Sequence, residues 1–222
     1  MLETFIGERI YIEIIHAGLE VSMDSSHPKA VLVFSGKRKS GKDFTCALLK
    51  ERLGDVCTIL TLSAPLKRQF AEIHGLDYEQ LLSASSYKER YRHDMVVWGE
   101  KKRNEDPSIF CRLATLDVST QHKVWLISDA RRKTDVAYFK ETYSDRAKLV
   151  RVQADESIRA SRGYVFKKGV DDSETECGLD EGVSWDYVIT NNGDEDDLDR
   201  QLTQLISSIQ DGLINEMKTD VS

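Results

Sequence analysis

Apolar and polar positions divide the chain into two kinds of run. Short apolar runs recur at Val31–Ser35, Val56–Leu62, Val124–Asp129, Leu149–Ala154 and Asp186–Asn191, too short for helices that bury one face. Val31–Ser35 is apolar at alternate and intervening positions alike, as in the central strand of a parallel sheet covered on both faces. Val56–Leu62 is expected to be a second buried strand. Between these runs the apolar residues return at helical spacing. Helices are expected over residues 43–53, closed by Gly54, and from Ser63 to Ile73, stopped by Gly75. Thr134–Tyr143 follows, with Thr134 as its N-cap. The last helix runs over Asp196–Met217, with Leu198, Leu202, Leu205, Ile206 and Ile209 on one face. Strand and helix in alternation predict an α/β fold with a parallel sheet and helices on both faces.

Two segments break that alternation. Residues 77–112 are polar and helix-forming, with Tyr87, Tyr91, Met95 and Trp98 in a stripe expected to pack inward, and 108–118 form a further short helix. Ser157–Arg162, ended by Gly163, is a short arginine-bearing helix before an acidic, glycine-punctuated loop at 169–182. Residues 1–27 carry Ile6, Ile10, Ile12, Ile14 and Ile15 interrupted by Glu8, Arg9 and Glu13, unlike a secretory signal. They are expected to be an extension, either poorly ordered or a loose helix. A single domain is expected over 28–217, with 218–222 as a tail.

The chemistry concentrates in Gly36-Lys37-Arg38-Lys39-Ser40-Gly41-Lys42-Asp43, between the first strand and the first helix. G-x-x-x-x-G-K in that context is a phosphate-binding loop: successive amides form a nest for phosphate oxygens, and the helix adds its positive end. Lys42 is placed to reach the β- and γ-phosphates. Asp43 stands where the general pattern has a metal-ligating Ser or Thr.

Charge sharpens this reading. The chain has 222 residues, a formal net charge of −7, 40% hydrophobic and 31% charged residues. An acidic chain is a poor general binder of nucleic acid. Its positive charge is bunched at Lys37–Lys42, Lys101–Arg103 and Arg131–Lys133, which suits a small, multiply anionic ligand. Cys46, Cys57, Cys111 and Cys177 form no C-x-x-C pair and no zinc spacing, so reduced thiols are expected. No apolar stretch reaches the length of a membrane span. A cytoplasmic monomer is expected. The competing placement is a degenerate peroxisomal address at Arg9–Ala17.

Further candidates follow from position. Asp129 ends an apolar strand, where phosphate-loop proteins place an acid that holds Mg²⁺ directly or through water. Arg131 and Arg132 come next, at the strand edge where ligands of open α/β sheets bind. Lys88, Arg92 and Arg103 repeat at whole turns and can line a cleft. Arg159 and Arg162 sit on the segment expected to close as a lid, about 156–182.

Together these stretches resemble the animal-type phosphomevalonate kinase family. The residues that carry the resemblance are Phe34–Phe44, Leu62–Lys67, Trp98–Arg103, Ile127–Arg132, Arg162–Phe166, Gly169–Asp172 and Glu176–Asp180. It spans about 30–215 and leaves 1–27 unmatched. Asp after the loop lysine is itself the family's habit. The resemblance implies a nucleoside-monophosphate-kinase-like P-loop fold, with an acceptor region at about 64–118 and an arginine-bearing lid. The implied reaction moves the γ-phosphoryl of ATP to mevalonate 5-phosphate, with Mg²⁺. The resemblance places ATP on Lys37, Arg38, Lys39, Ser40, Gly41, Lys42 and Asp43, with Arg151, Arg159, Arg162 and Gln201. It places the acceptor near Lys67, Lys88, Arg92, Arg103, Arg112, Arg131, Arg132 and Asn191. Lys42, Asp43, Arg131 and Arg132 would be catalytic, and Asp43 and Asp129 would hold the metal.

The chemistry is coherent without the family. A phosphate acceptor is already ionised near neutral pH, so no general base is required. The work is positioning and the offsetting of repulsion between two anions. Two alternatives share parts of the pattern: a nucleoside-monophosphate or dephospho-coenzyme A kinase, and a non-catalytic GTPase-like switch. The second lacks an Asn-Lys-x-Asp stretch.

Overall fold

Strand β1, Ala30–Ser35, is the centre of the molecule, and every one of its six residues is buried. A computed structural model of the chain describes residues 28–83, 86–116 and 118–219. The expectations for 1–27, including the Arg9–Ala17 address, and for most of the tail lie outside the described residues. Five parallel strands stand in the order β2 (Cys57–Leu60), β3 (Val124–Ile127), β1, β4 (Ala147–Gln153), β5 (Tyr187–Thr190).

The double-sided apolar pattern of β1 explains the layers. Leu32 and Phe34 face one cluster with Leu49 and Leu53 of α1 (Lys42–Leu53), and with Leu198, Leu202, Leu205 and Ile206 of the final helix, Glu195–Thr219. Val31 and Val33 face the other, with Phe110, Phe139 and Tyr143. That second face is covered by α5 (Ile109–Thr115) and α6 (Lys133–Tyr143). Full burial of side chains this size stabilises by roughly 1.5–3 kcal/mol each, so the sandwich fixes β1 firmly.

α2 (Ser63–His74), α3 (Tyr78–Leu82) and α4 (Ser86–Glu105) form a satellite cluster. There Met95 packs with Phe70 and Leu81, flanked by Tyr87, Tyr91 and Trp98 as the stripe predicted. Gly99 lets α4 approach closely, since a Cβ there would lie 2.7 Å from the Leu66 side chain. The segment expected to close as a lid carries α7 (Glu156–Ser161) and the one-turn α8 (Glu174–Cys177).

Two expectations are corrected. β2 is an edge strand and is not buried throughout: Ile59 is 37% exposed, because only β3 pairs with it. The N-cap of α6 is Arg132, not Thr134, and the exposed amides are taken by the Asp135 carboxylate at the third helical position.

Candidate active site

The carboxyl ends of β1, β3, β4 and β5 deliver the predicted residues to one edge of the sheet. The loop leaving β1 turns back through a hydrogen bond from the Ser40 amide to Lys37 O at 3.0 Å. Gly36 is required by close approach: a Cβ there would lie 2.6 Å from Val152 O and 2.7 Å from Ser40 Oγ. Gly41 adopts φ 89°, backed by the Asn191 side chain. As N-cap of α1 it offers no side chain to the first amides of that helix. Among the described residues Ser40 Oγ is buried without a hydrogen-bond partner, an orphan at the heart of the loop. Uncapped helix amides and a buried orphan hydroxyl fit phosphate oxygens.

Arginines of the 156–162 segment lie on this loop. Arg159 Nε donates to Arg38 O at 2.9 Å and stacks on Tyr164, 3.9 Å from the ring centroid. Arg162 donates to Lys39 O (3.4 Å), Ser40 O (3.3 Å) and Asn191 Oδ1 (2.9 Å). Arg162 and Asn191 thus bracket the loop backbone.

Most of the remaining cations are matched to carboxylates. Arg38 forks onto Asp171 with bonds of 2.9 and 2.8 Å. Lys37 pairs with Asp180 and lies 3.4 Å from Cys177 Sγ. Arg151 donates to the same Asp180 (2.7 Å) and to Ser35 Oγ (3.0 Å). Arg131 pairs with Glu176, and Arg132 with Glu100. Arg103, with only 10% of its side chain exposed, reaches Asp135 Oδ1 at 2.7 Å. Three of these acids, Asp171, Glu176 and Asp180, come from the 169–182 segment.

A second positive group gathers around Lys67. Burial, and then the nearby charges of Lys88, Arg131 and Arg92, hold its ammonium pKa below the ordinary lysine value against the pull of Asp129. Lys67, Lys88, Arg92 and Arg131 belong to α2, α4 and the turn after β3, so the fold gathers like charges, an arrangement suited to an anionic ligand. Alongside, a cleft of about 740 Å³ is walled by Arg103 and Asn104 of α4, Arg132 to Thr134, and Glu174, Cys177, Asp180 and Glu181.

Three predicted residues are engaged differently. Asp129 accepts the amides of Leu62 (2.6 Å) and Ser63 (3.1 Å), one on each carboxylate oxygen, and so caps α2. Gln201 ties β5 to the final helix through Thr190 N (2.8 Å) and Thr190 O (2.9 Å). Arg112 does not line the cleft. Its guanidinium closes on Asp106 and on Ser108 Oγ, and holds the Asp106 carboxyl down at about 2. Burial pushes the Cys46 and Cys57 thiols up to about 12 and raises Cys111 too, so these three stay protonated at neutral pH. All four cysteines are free. Asp135, Glu100 and Glu176 join the site only through the fold. The only sequence signal was acids beside helix ends and basic clusters.

A parallel sheet of order 2-3-1-4-5 with a glycine loop after β1, a helix N-terminus under it and arginines over it defines a P-loop phosphotransferase. Comparison with known proteins narrows the class. The sequence pattern described as phosphomevalonate kinase matches residues 34–145. A Drosophila melanogaster protein named phosphomevalonate kinase is 36% identical over 180 residues, which is 79% of this chain and 94% of that one. The chain therefore belongs to the phosphomevalonate kinase family, and it is an ATP-dependent kinase acting on mevalonate 5-phosphate. Two solved structures are more distant. TT1252 from Thermus thermophilus is 18% identical with a TM-score of 0.47, over 82% of this chain and 98% of that one. A Sinorhizobium meliloti 1021 gluconokinase is 13% identical with a TM-score of 0.44, over 87% and 96%. Among the described residues, no helix is long and apolar enough to cross a membrane.

Proposed function

We propose that the two substrates divide the sheet edge between the glycine loop and the Lys67 group. The triphosphate of ATP lies on Lys37 to Asp43 beneath Arg159 and Arg162, with Arg151 at its flank. Mevalonate 5-phosphate lies against Lys67, Lys88, Arg92, Arg103, Arg131 and Arg132, with Asn191 at the boundary. The observation that carries this reading is the convergence of Lys67, Lys88, Arg92 and Arg131 from three elements, whose like charges add to burial in lowering the lysine's pKa. Arg131 of the Lys67 group and its neighbour Arg132 grip the phosphates being joined. An ionised phosphate oxygen attacks without a general base, so the cations supply orientation and charge stabilisation.

Mg²⁺ is the proposed metal. It usually binds through one or two carboxylates plus substrate phosphates, not in an all-protein cage. That matches a site in which no group of three or more His, Cys, Asp or Glu can hold a metal, among the described residues. The Asp43 carboxylate, 90% exposed in the first turn of α1, supplies a hard oxygen donor. Asp129, with an amide on each oxygen, contributes through water. When bound, the ion offsets charge on the β- and γ-phosphates.

A coupled ADP-release assay tests the assignment: turnover with mevalonate 5-phosphate, and little with nucleoside monophosphates or dephospho-coenzyme A. Tight GTP binding without turnover would overturn it. The enzyme is proposed to work as a cytoplasmic monomer. Sedimentation checks the monomeric state, and imaging a fusion with and without His16→Ala checks the cytoplasmic location.

A further inference from the structure

Beneath the arginines lies a carboxylate that meets no solvent. Asp135 is 1% exposed at the start of α6, and its two oxygens have separate tasks. Oδ2 accepts the backbone amides of Arg131 at 3.0 Å and Arg132 at 3.1 Å. Oδ1 accepts Nη1 of Arg103 at 2.7 Å and faces the Cys111 thiol at 3.7 Å. One side chain therefore touches the backbone of two cations and the guanidinium of a third, from different elements. A buried carboxylate is costly unless paired and hydrogen-bonded, and here every contact is a donor.

We propose that Asp135 is a positioning residue for the acceptor half of the site. Its carboxylate fixes Arg131, Arg132 and Arg103 relative to one another, and so sets the geometry in which the acceptor phosphate is held. The inference rests on the assignment of those arginines to mevalonate 5-phosphate. Asp135 itself touches no substrate. On the glycine-loop side the cations have other partners: Arg159 and Arg162 are held by loop carbonyls and Asn191, Arg38 by Asp171, and Lys37 and Arg151 by Asp180. Its loss should therefore separate the two substrates kinetically. A plain helix cap carries no such selectivity.

The test uses the full chain. Asp135→Asn keeps an oxygen for the two amides but turns an NH₂ group toward Arg103 or toward those amides. The expected result is a loss of roughly 10²-fold in kcat/KM for mevalonate 5-phosphate, the scale of an ångström-size misplacement. KM for ATP should stay within about twofold of wild type. Asp135→Glu keeps the charge and moves it by one methylene, and should give the same selective loss. Cys111→Ala removes the thiol neighbour and leaves the arginines alone, so its kinetics should match wild type. A lowered melting temperature with unchanged acceptor kinetics in either Asp135 variant would overturn the proposal. So would equal damage to both substrates, or loss of cooperative melting in both variants. Absence of wild-type turnover with mevalonate 5-phosphate would instead overturn the functional reading beneath it.

Discussion

The Lys42 ammonium lies 2.5 Å from the Asp43 carboxylate, its neighbour in the chain, and also donates to Ser128 O at the end of β3. The loop lysine is thus held between the first turn of its own helix and the adjacent strand. ATP must exchange these contacts for its phosphates. The pairing makes Asp43 either a metal ligand or a brace for Lys42, and substitution separates the two. Asp43→Asn keeps size and a helix-start preference but removes the charge. As a ligand mutant it should raise the Mg²⁺ required for half-maximal rate and lower kcat, with an unchanged melting temperature. An unaltered Mg²⁺ dependence with near-normal kcat would remove Asp43 from the metal site.

Arg131 and Arg132 hold carboxylates of Glu176 and Glu100, ion pairs that occupy the groups proposed to grip phosphate. Guanidinium can bind phosphate through two parallel hydrogen bonds, which an ammonium cannot reproduce. Arg131→Lys should therefore lose most activity although charge is kept. Removing a well-placed transition-state cation costs roughly 10³-fold in kcat. Steady-state kinetics of Arg131→Met and Arg132→Met decide this, and wild-type values in both would withdraw the assignment.

Lys67 makes a prediction about pH. Burial, Lys88, Arg131 and Arg92 depress its pKa in the free protein, so it loses its proton at lower pH than an ordinary lysine. An anionic acceptor would reverse that by adding opposite charge. Binding of mevalonate 5-phosphate should therefore draw up protons, increasingly as pH rises into the alkaline range. Calorimetry in buffers of different ionisation enthalpy reads this directly. The linkage sign also predicts stability: a lysine whose charged form is less favoured in the fold than in the unfolded chain is a burden below its lowered pKa. Lys67→Met should raise the melting temperature of the free protein at pH 7 while raising the acceptor KM. A fall in both would contradict the clustering of charge.

Asp180 behaves oppositely. Burial alone would raise its pKa, but hydrogen bonds from Lys37 and Arg151 outweigh burial and hold it below the ordinary carboxylate value. A depressed folded pKa stabilises above the unfolded value of about 3.9 and is lost as pH falls through the folded one. Asp180→Asn should thus lower the melting temperature at pH 7. The gap from wild type should close in acid, below about pH 4. A gap independent of pH would mean that packing, not charge, joins this segment to the loop.

The sheet and the glycine loop are legible along the chain. The apolar run before Gly36, the helix after Lys42 and the stripe of Leu198, Leu202 and Leu205 are local patterns, and local periodicity reports which faces are buried. The sequence also located the cationic groups, because Arg131 and Arg132 follow a strand directly. What each charge faces follows from the folded packing. Arg38 meets Asp171 and Lys37 meets Asp180 across more than 130 residues. Asp129 accepts the amides of Leu62 and Ser63, and Asp135, outwardly a helix-start acid, meets the Arg103 guanidinium and the amides of Arg131 and Arg132. One carboxylate looks like another along a chain. Its task is set by which donors the fold brings within about 3 Å, because hydrogen bonding falls away steeply with distance and angle.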